Sequence, residues 1–217
     1  MTMTTSSLSD QIYAGMKRKL AQGDYLPGML LSENELAAEF GMSRTPVRAA
    51  LSRLESDGYV VSLKNRGILI KELSGKEILD MFEVISSLQV FIMEAASLGF
   101  VTLDLQALER VLKAQIEATE EKDYPAYTGH SLEFTRLLIE AAHNEAMLAM
   151  IDGYKEKLMW AAVVNYKRTP LHKHYSGTDV NTLLFEALQA GDYALAKRRI
   201  LEGWAAIRQR AFSGMIV

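Results

Sequence analysis

The sequence predicts a mainly α fold in two parts: an N-terminal winged helix-turn-helix over residues 1–73 and a C-terminal all-helical bundle over residues 74–217. Three observations lead there. Residues 1–73 form a dense series of short apolar patterns punctuated by Gly and Pro. Two short β-branched or aromatic runs around the polar tip Lys64-Asn65-Arg66-Gly67 close that series. From Ser74 onward, apolar residues recur at helical spacing nearly to the end, with few breakers and no strand signal.

A first helix is expected over Ser9–Gln22, because Ile12, Met16 and Leu20 share one face. Gly23-Asp24 and Pro27-Gly28 then break the chain. Ser32 with Glu35 is a capping box that opens a second helix; Leu36 and Phe40 face inward and Gly41 ends it. Ser43 is the N-cap of a third helix, with Pro46 tolerated in its first turn. Val47, Ala50, Leu51 and Leu54 form its buried stripe, and Gly58 stops it. Tyr59-Val60-Val61 and Ile68-Leu69-Ile70 flank the tip as a hairpin, the wing.

In the second half, Ile78, Phe82, Ile85, Leu88, Ile92 and Ala96 mark a long amphipathic helix, and Leu105, Leu108, Leu112 and Ile116 mark the next. Further helices are expected at 124–142, 144–167, 178–190 and 192–212. The last keeps Tyr193, Ala196, Ile200, Trp204, Ile207 and Ala211 in register. Six such helices form a bundle able to enclose a small-molecule cavity.

With 49% hydrophobic and 24% charged residues, the chain has a globular composition rather than a disordered or fibrous one. Cysteine is absent, which excludes disulfides and thiolate metal sites and fits a reducing compartment. The polar first ten residues lack a secretory-signal layout, and no apolar run approaches the ~20 residues of a membrane span. A cytoplasmic protein with no membrane partner is therefore expected. The net charge of −3 does not by itself favour nucleic acid. Residues 1–73 hold nine Lys/Arg against eight Asp/Glu, however, and a DNA-binding module needs a local basic face rather than a basic total. No phosphate loop, nucleophile elbow or paired catalytic carboxylates supports an enzyme.

On the third helix, Arg44, Thr45, Arg48 and Ser52 lie on the exposed side next to the buried stripe. A helix fits the DNA major groove, and guanidinium groups take guanine O6 and N7 bidentately. Ser43 and Thr45 can add phosphate or base hydrogen bonds, and Lys64 and Arg66 at the wing tip suit the backbone or the minor groove. Arg53 lies on the opposite side and is not counted as a base reader. On an isolated helix, Arg44 and Arg48 read more readily as solvated charges. The capped preceding helix, the Gly41 turn and the wing together select DNA.

These residues carry a resemblance. Leu31-Ser-Glu-Asn-Glu-Leu-Ala, Gly41-Met-Ser-Arg-Thr-Pro-Val-Arg-Ala-Ala-Leu and Leu54-Glu-Ser-Asp-Gly-Tyr-Val closely resemble the GntR family of bacterial regulators over residues 10–71. The resemblance implies a homodimer on a short palindromic operator of double-stranded DNA. It carries base and phosphate contacts onto Arg44, Thr45 and Arg48, places the wing tip near Arg66-Gly67, and puts a further contact near Asn34.

The helical half resembles the FCD effector domain of the FadR-type branch, through Asp80-Met-Phe-Glu-Val, Leu132-Glu-Phe134, Leu137-Leu138, Asn144 and Ala187-Leu-Gln-Ala-Gly-Asp192. Six helices suggest the shorter, VanR-like variant. Many members of this branch bind a divalent metal through one Asp and three His. Here those positions hold Ser131, Thr135, Asn181 and Gly203, which cannot replace a carboxylate and three imidazoles, so neither metal nor other cofactor is expected. Ile85 and Gln89 stand where the family often has Arg and Glu. With Phe134, these residues form the expected effector pocket, suited to a neutral or hydrophobic small molecule or to none.

Other features have plainer readings. His172 and His174 alternate after Pro170 and, with no third ligand nearby, read as a surface loop; His130 and His143 read as core or surface. Trp160, Trp204, Met81, Met93, Met147, Met150 and Met159 read as core, with cavity lining as the alternative. Lys197-Arg198-Arg199 reads as a solvated face. The function expected is a repressor modulated by a small molecule. The alternatives are a constitutive repressor with a vestigial cavity, or a helical enzyme or carrier with an accessory DNA-binding domain.

Overall fold

Serines start three of the helices by one device. Ser7, Ser32 and Ser74 each accept a hydrogen bond from the backbone of a residue three positions on, and the carboxylate of that residue reaches back to the serine N–H. The computed structural model describes residues 7–64, 66–169 and 174–212, with side chains through Arg210. Asn65 of the wing tip, Pro170, His172 and the Ala211 side chain lie outside the described residues. The chain divides into two units, residues 1–73 and 74–217.

In the first unit, α1 (Leu8–Gln22) ends at Gly23 in the left-handed conformation. β1 (Leu30–Leu31), α2 (Glu33–Glu39) and α3 (Arg44–Ser56) follow, then the hairpin β2 (Val60–Leu63) and β3 (Gly67–Ile70). The strands form an antiparallel sheet in the order β1-β3-β2, with Leu30 opposite Leu69 and Val60 opposite Ile70. β1 lies in what the sequence reads as the connection after the Pro27-Gly28 break. It ties the wing to the entry of α2. Gly67 sits where the two meet, with φ +99, and a Cβ there would fall 2.6 Å from the Leu31 carbonyl oxygen. Only glycine fits that approach without strain.

The core of this unit is the apolar face each pattern predicts: Ile12, Met16 and Leu20 from α1, Leu36 from α2, and Val47, Ala50, Leu51 and Leu54 from α3. A Cβ on Gly15 would meet the Phe40 ring at 2.5 Å, so the half-buried Phe40 lies directly on α1. Ser43 occupies the N-cap of α3, but its side chain makes no cap bond. The expected N-cap position thus holds, and position alone does not aim the hydroxyl at the first-turn N–H groups.

The second unit consists of α4 (Gly75–Ser97), α5 (Leu105–Glu120), α6 (Tyr124–Glu140), α7 (Glu145–Arg168), α8 (Ser176–Gln189) and α9 (Tyr193–Phe212). α6 stops before its expected end because Ala141–His143 turn, with His143 at φ +50, and Asn144 caps α7. α4 packs on α9 and α6, α5 on α6 and α8, and α8 on α9. Ile92, Leu108, Leu112, Phe134, Leu138, Leu184 and Ile200 belong to the core they enclose. Met81, Met93 and Trp160 join the buried set, whereas Met150 is exposed, a correction to its core reading, because its position on α7 faces away from the neighbouring helices.

Candidate functional site

The recognition face begins with a carboxylate that the sequence reading did not single out. Glu33, in the first turn of α2, faces the start of α3. Its Oε2 accepts from Arg44 Nε at 3.1 Å, Arg44 Nη2 at 2.8 Å and Arg48 Nε at 2.8 Å, and its Oε1 accepts from Arg48 Nε at 2.8 Å. Both arginine side chains remain more than half exposed, at 55% and 62%, while Glu33 is at 25%. Hydrogen bonds from Arg48 and then Arg44 hold the Glu33 carboxyl below the usual carboxylate range, and Glu33 raises Arg48 in return. The bonds use the inner edge of each guanidinium. Arg48 keeps both terminal amino groups, and Arg44 keeps Nη1, for an outside acceptor.

Asn34, Ser43, Thr45, Lys64 and Arg66 are exposed as well. Glu55 fastens β2 to α3, accepting from the Ser62 N–H at 2.6 Å and from its hydroxyl at 2.8 Å. The wing is thus held to the recognition helix at one edge and to the entry of α2 at the other. Arg53 turns away, bonded to Asp10 at 2.5 Å and lying over the Tyr13 ring at 4.1 Å.

The helical unit encloses a cavity of about 200 Å³ between α4, α6, α7, α8 and α9. Ile85, Gln89, Ser131, Thr135, Asn181 and Gly203 all line it. Phe134 does not, which corrects its assignment: it is fully buried in the core with Leu138 and Leu184, on the face of α6 turned from the cavity. Asn181 donates to Gln115 Oε1 at 2.9 Å and, more weakly, to Ser131 Oγ at 3.4 Å. Gln115 has no solvent exposure. Its place on the Leu108–Leu112 stripe was the available signal, a polar residue on an apolar face.

At another part of the wall, Tyr124 stacks on Tyr166 with centroids 4.3 Å apart, and His174 stands edge-on to both at 5.3 and 5.0 Å. His174 is therefore not a surface-loop residue; ring packing and a 2.6 Å bond to the Thr169 carbonyl hold it half-buried. Tyr127 accepts from the Gly177 N–H at 2.8 Å, and burial pushes its phenol well above the usual range. Arg210 donates to Ser176 Oγ at 2.8 Å. Neither Tyr127 nor Arg210 was singled out from the sequence.

Ser131, Thr135, Asn181 and Gly203, the positions expected from the resemblance to correspond to metal ligands, line one cavity as two hydroxyls, one amide and a glycine. That donor set does not fit a transition metal. Among the described residues, no group of three His, Cys, Asp or Glu gathers. No described helix is long and apolar enough to cross a membrane.

Comparison with known proteins agrees with this architecture. Residues 8–70 match the bacterial regulatory proteins of the gntR family, and residues 80–205 match the FCD domain. The gluconate operon transcriptional repressor of Bacillus licheniformis is 24% identical over 194 residues, spanning 88% of this chain and 79% of that protein. The Nta operon transcriptional regulator of Aminobacter aminovorans is 26% identical over 164 residues, spanning 74% and 75%. The structure of E. coli McbR/YncC shares the fold with a TM-score of 0.72 at 21% identity, over 97% of this chain and 99% of that one. The two sequence relatives are named as regulators of transcription. The chain belongs to the GntR family of bacterial regulatory proteins, in the branch that carries an FCD domain.

Proposed function

We propose that this protein is a cytoplasmic, sequence-specific transcriptional repressor, a homodimer that binds double-stranded operator DNA and responds to a small molecule in its helical unit. The carrying observation is the paired display of Arg44 and Arg48. One carboxylate holds both guanidiniums from behind and leaves their outer amino groups pointing outward. That is the presentation bidentate guanine recognition needs. Thr45, Ser43 and Asn34 stand beside them for phosphate or base contacts, and Lys64, Arg66 and Gly67 of the wing supply the backbone or minor-groove side. Two copies would set their recognition helices in successive major grooves, about 34–36 Å apart. A ligand that prefers one arrangement of the bundle then shifts operator affinity by its differential binding.

The test uses an operator selected from a random duplex library. In gel shifts, Arg44→Ala and Arg48→Ala should each weaken binding about tenfold to a hundredfold and relax the base preference at one position. Unchanged affinity in both would remove them from the readout. A constitutive repressor with a vestigial cavity is the second reading, and the lost metal-ligand set favours it.

A further inference from the structure

The cavity holds a polar group with nothing to bond. Gln89, on the cavity face of α4, is only 8% exposed, yet its amide makes no hydrogen bond among the described residues. Its amide borders the cavity, so its hydrogen bonds fall to whatever occupies that space. A nonpolar side chain would be the better wall for a purely apolar guest. Asn181, also on the wall, uses its amide nitrogen on Gln115 and turns its carbonyl oxygen to no protein donor. Together the two offer a donor and two acceptors, all uncharged.

Among the described residues no Asp, Glu or Lys lines the cavity, and the arginine on its wall, Arg210, is bonded to Ser176. Arg210 also stands seven residues beyond Gly203 on α9, about 10 Å along the axis at about 1.5 Å per residue. Ile85 and Gly203, which line the same cavity, bring no charge. A carboxylate set beside Gln89 and Asn181 would face two carbonyl oxygens against one amide donor, without the charge of a cation to balance its own.

We infer that the cavity binds an uncharged planar molecule through a carboxamide-type edge, an adjacent C=O and N–H, which pairs head-to-head with the Gln89 amide without any metal. Asn181 Oδ1 takes a second N–H where the ligand has one, and Phe82, Leu132 and Ile200 cover its apolar remainder. This rests on the effector reading above and specifies its chemistry.

Three probes of like size separate the possibilities: benzamide, benzoate and toluene, each titrated calorimetrically and by thermal shift into the full chain with chelator present. Benzamide should bind saturably and best of the three, and Gln89→Met should weaken it about tenfold, the scale of one lost hydrogen bond with its partner stranded. A melting curve of the free variant shows that it folds. Because the substitution keeps length and volume, a folded Gln89→Met that binds benzamide as well as the wild type overturns the assignment. Preference for benzoate or toluene overturns the amide chemistry and leaves the effector cavity standing. Failure of all three to bind overturns the amide proposal; operator affinity that also stays constant with every small molecule screened removes the effector reading separately.

Discussion

Replacing Glu33 by glutamine isolates what the shared carboxylate contributes to DNA recognition. In the protein, one negative charge faces two guanidiniums, through three contacts of 2.8 Å and one of 3.1 Å. The local balance is one net positive charge. Glutamine keeps the shape but has a single carbonyl acceptor and no charge, so the balance becomes two, and one guanidinium loses its anchor. A loosened arginine on DNA finds the nearest phosphate rather than a base edge. Each added phosphate contact steepens the dependence of log affinity on log salt by about 0.9. Over a fourfold rise in salt, from about 50 to about 200 mM, the variant should therefore lose about 3.5-fold more affinity than the wild type. At low salt it should bind scrambled duplex more tightly, so the ratio of specific to non-specific affinity falls. Fluorescence anisotropy with the selected operator and a scrambled duplex at both salt concentrations measures all of this. Equal salt slopes together with an equal specificity ratio would refute the view that Glu33 orients the two arginines.

Two further outcomes follow from the first unit. Gly67→Ala places a Cβ 2.6 Å from the Leu31 carbonyl at φ +99, and should cost at least about 2 kcal/mol, seen as a lower melting midpoint; an unchanged midpoint would show that the wing can reshape around a side chain. Acid should also destabilise this unit. The carboxyls of Asp10, Glu33, Glu35 and Glu55 are held below their ordinary values by bonds from Ser7, Arg48, Ser32 and Ser62 respectively. A folded-state value below the unfolded one gives stability that is present above the unfolded value and lost as pH falls through the folded one. Melts by circular dichroism should show the midpoint falling below about pH 4.5, and a midpoint that rises on acidification would contradict these bonds.

Much of this architecture was legible because helices announce themselves twice, by apolar period and by capping pairs. Ser32 with Glu35 fixed the start of α2, and the Val47–Leu54 stripe fixed which side of α3 faces out. β1 was not legible, since two residues have no period; it exists because β3 supplies its partner. Glu33 was hidden for a related reason. It lies eleven and fifteen residues from the arginines it joins, a distance only the packing of α2 on α3 closes. Within the cavity, Ser131 and Thr135 share one face of α6 because they are four apart. Phe134 failed because its neighbour Thr135 points about 100° away from it. His174 and Arg210 come from stretches where linear pattern says nothing about what lies across the bundle.

The placement of Trp204 has a practical consequence. Among the chain's two tryptophans, Trp204 borders the cavity and Trp160 is buried away from its wall. Indole emission shifts with the polarity beside the ring, so a Trp160→Phe chain, excited at the red edge where tyrosine does not absorb, would report from a single indole at the cavity wall. Occupancy by any guest would then be visible as a change of colour and yield, without a label and in the presence of unlabelled DNA.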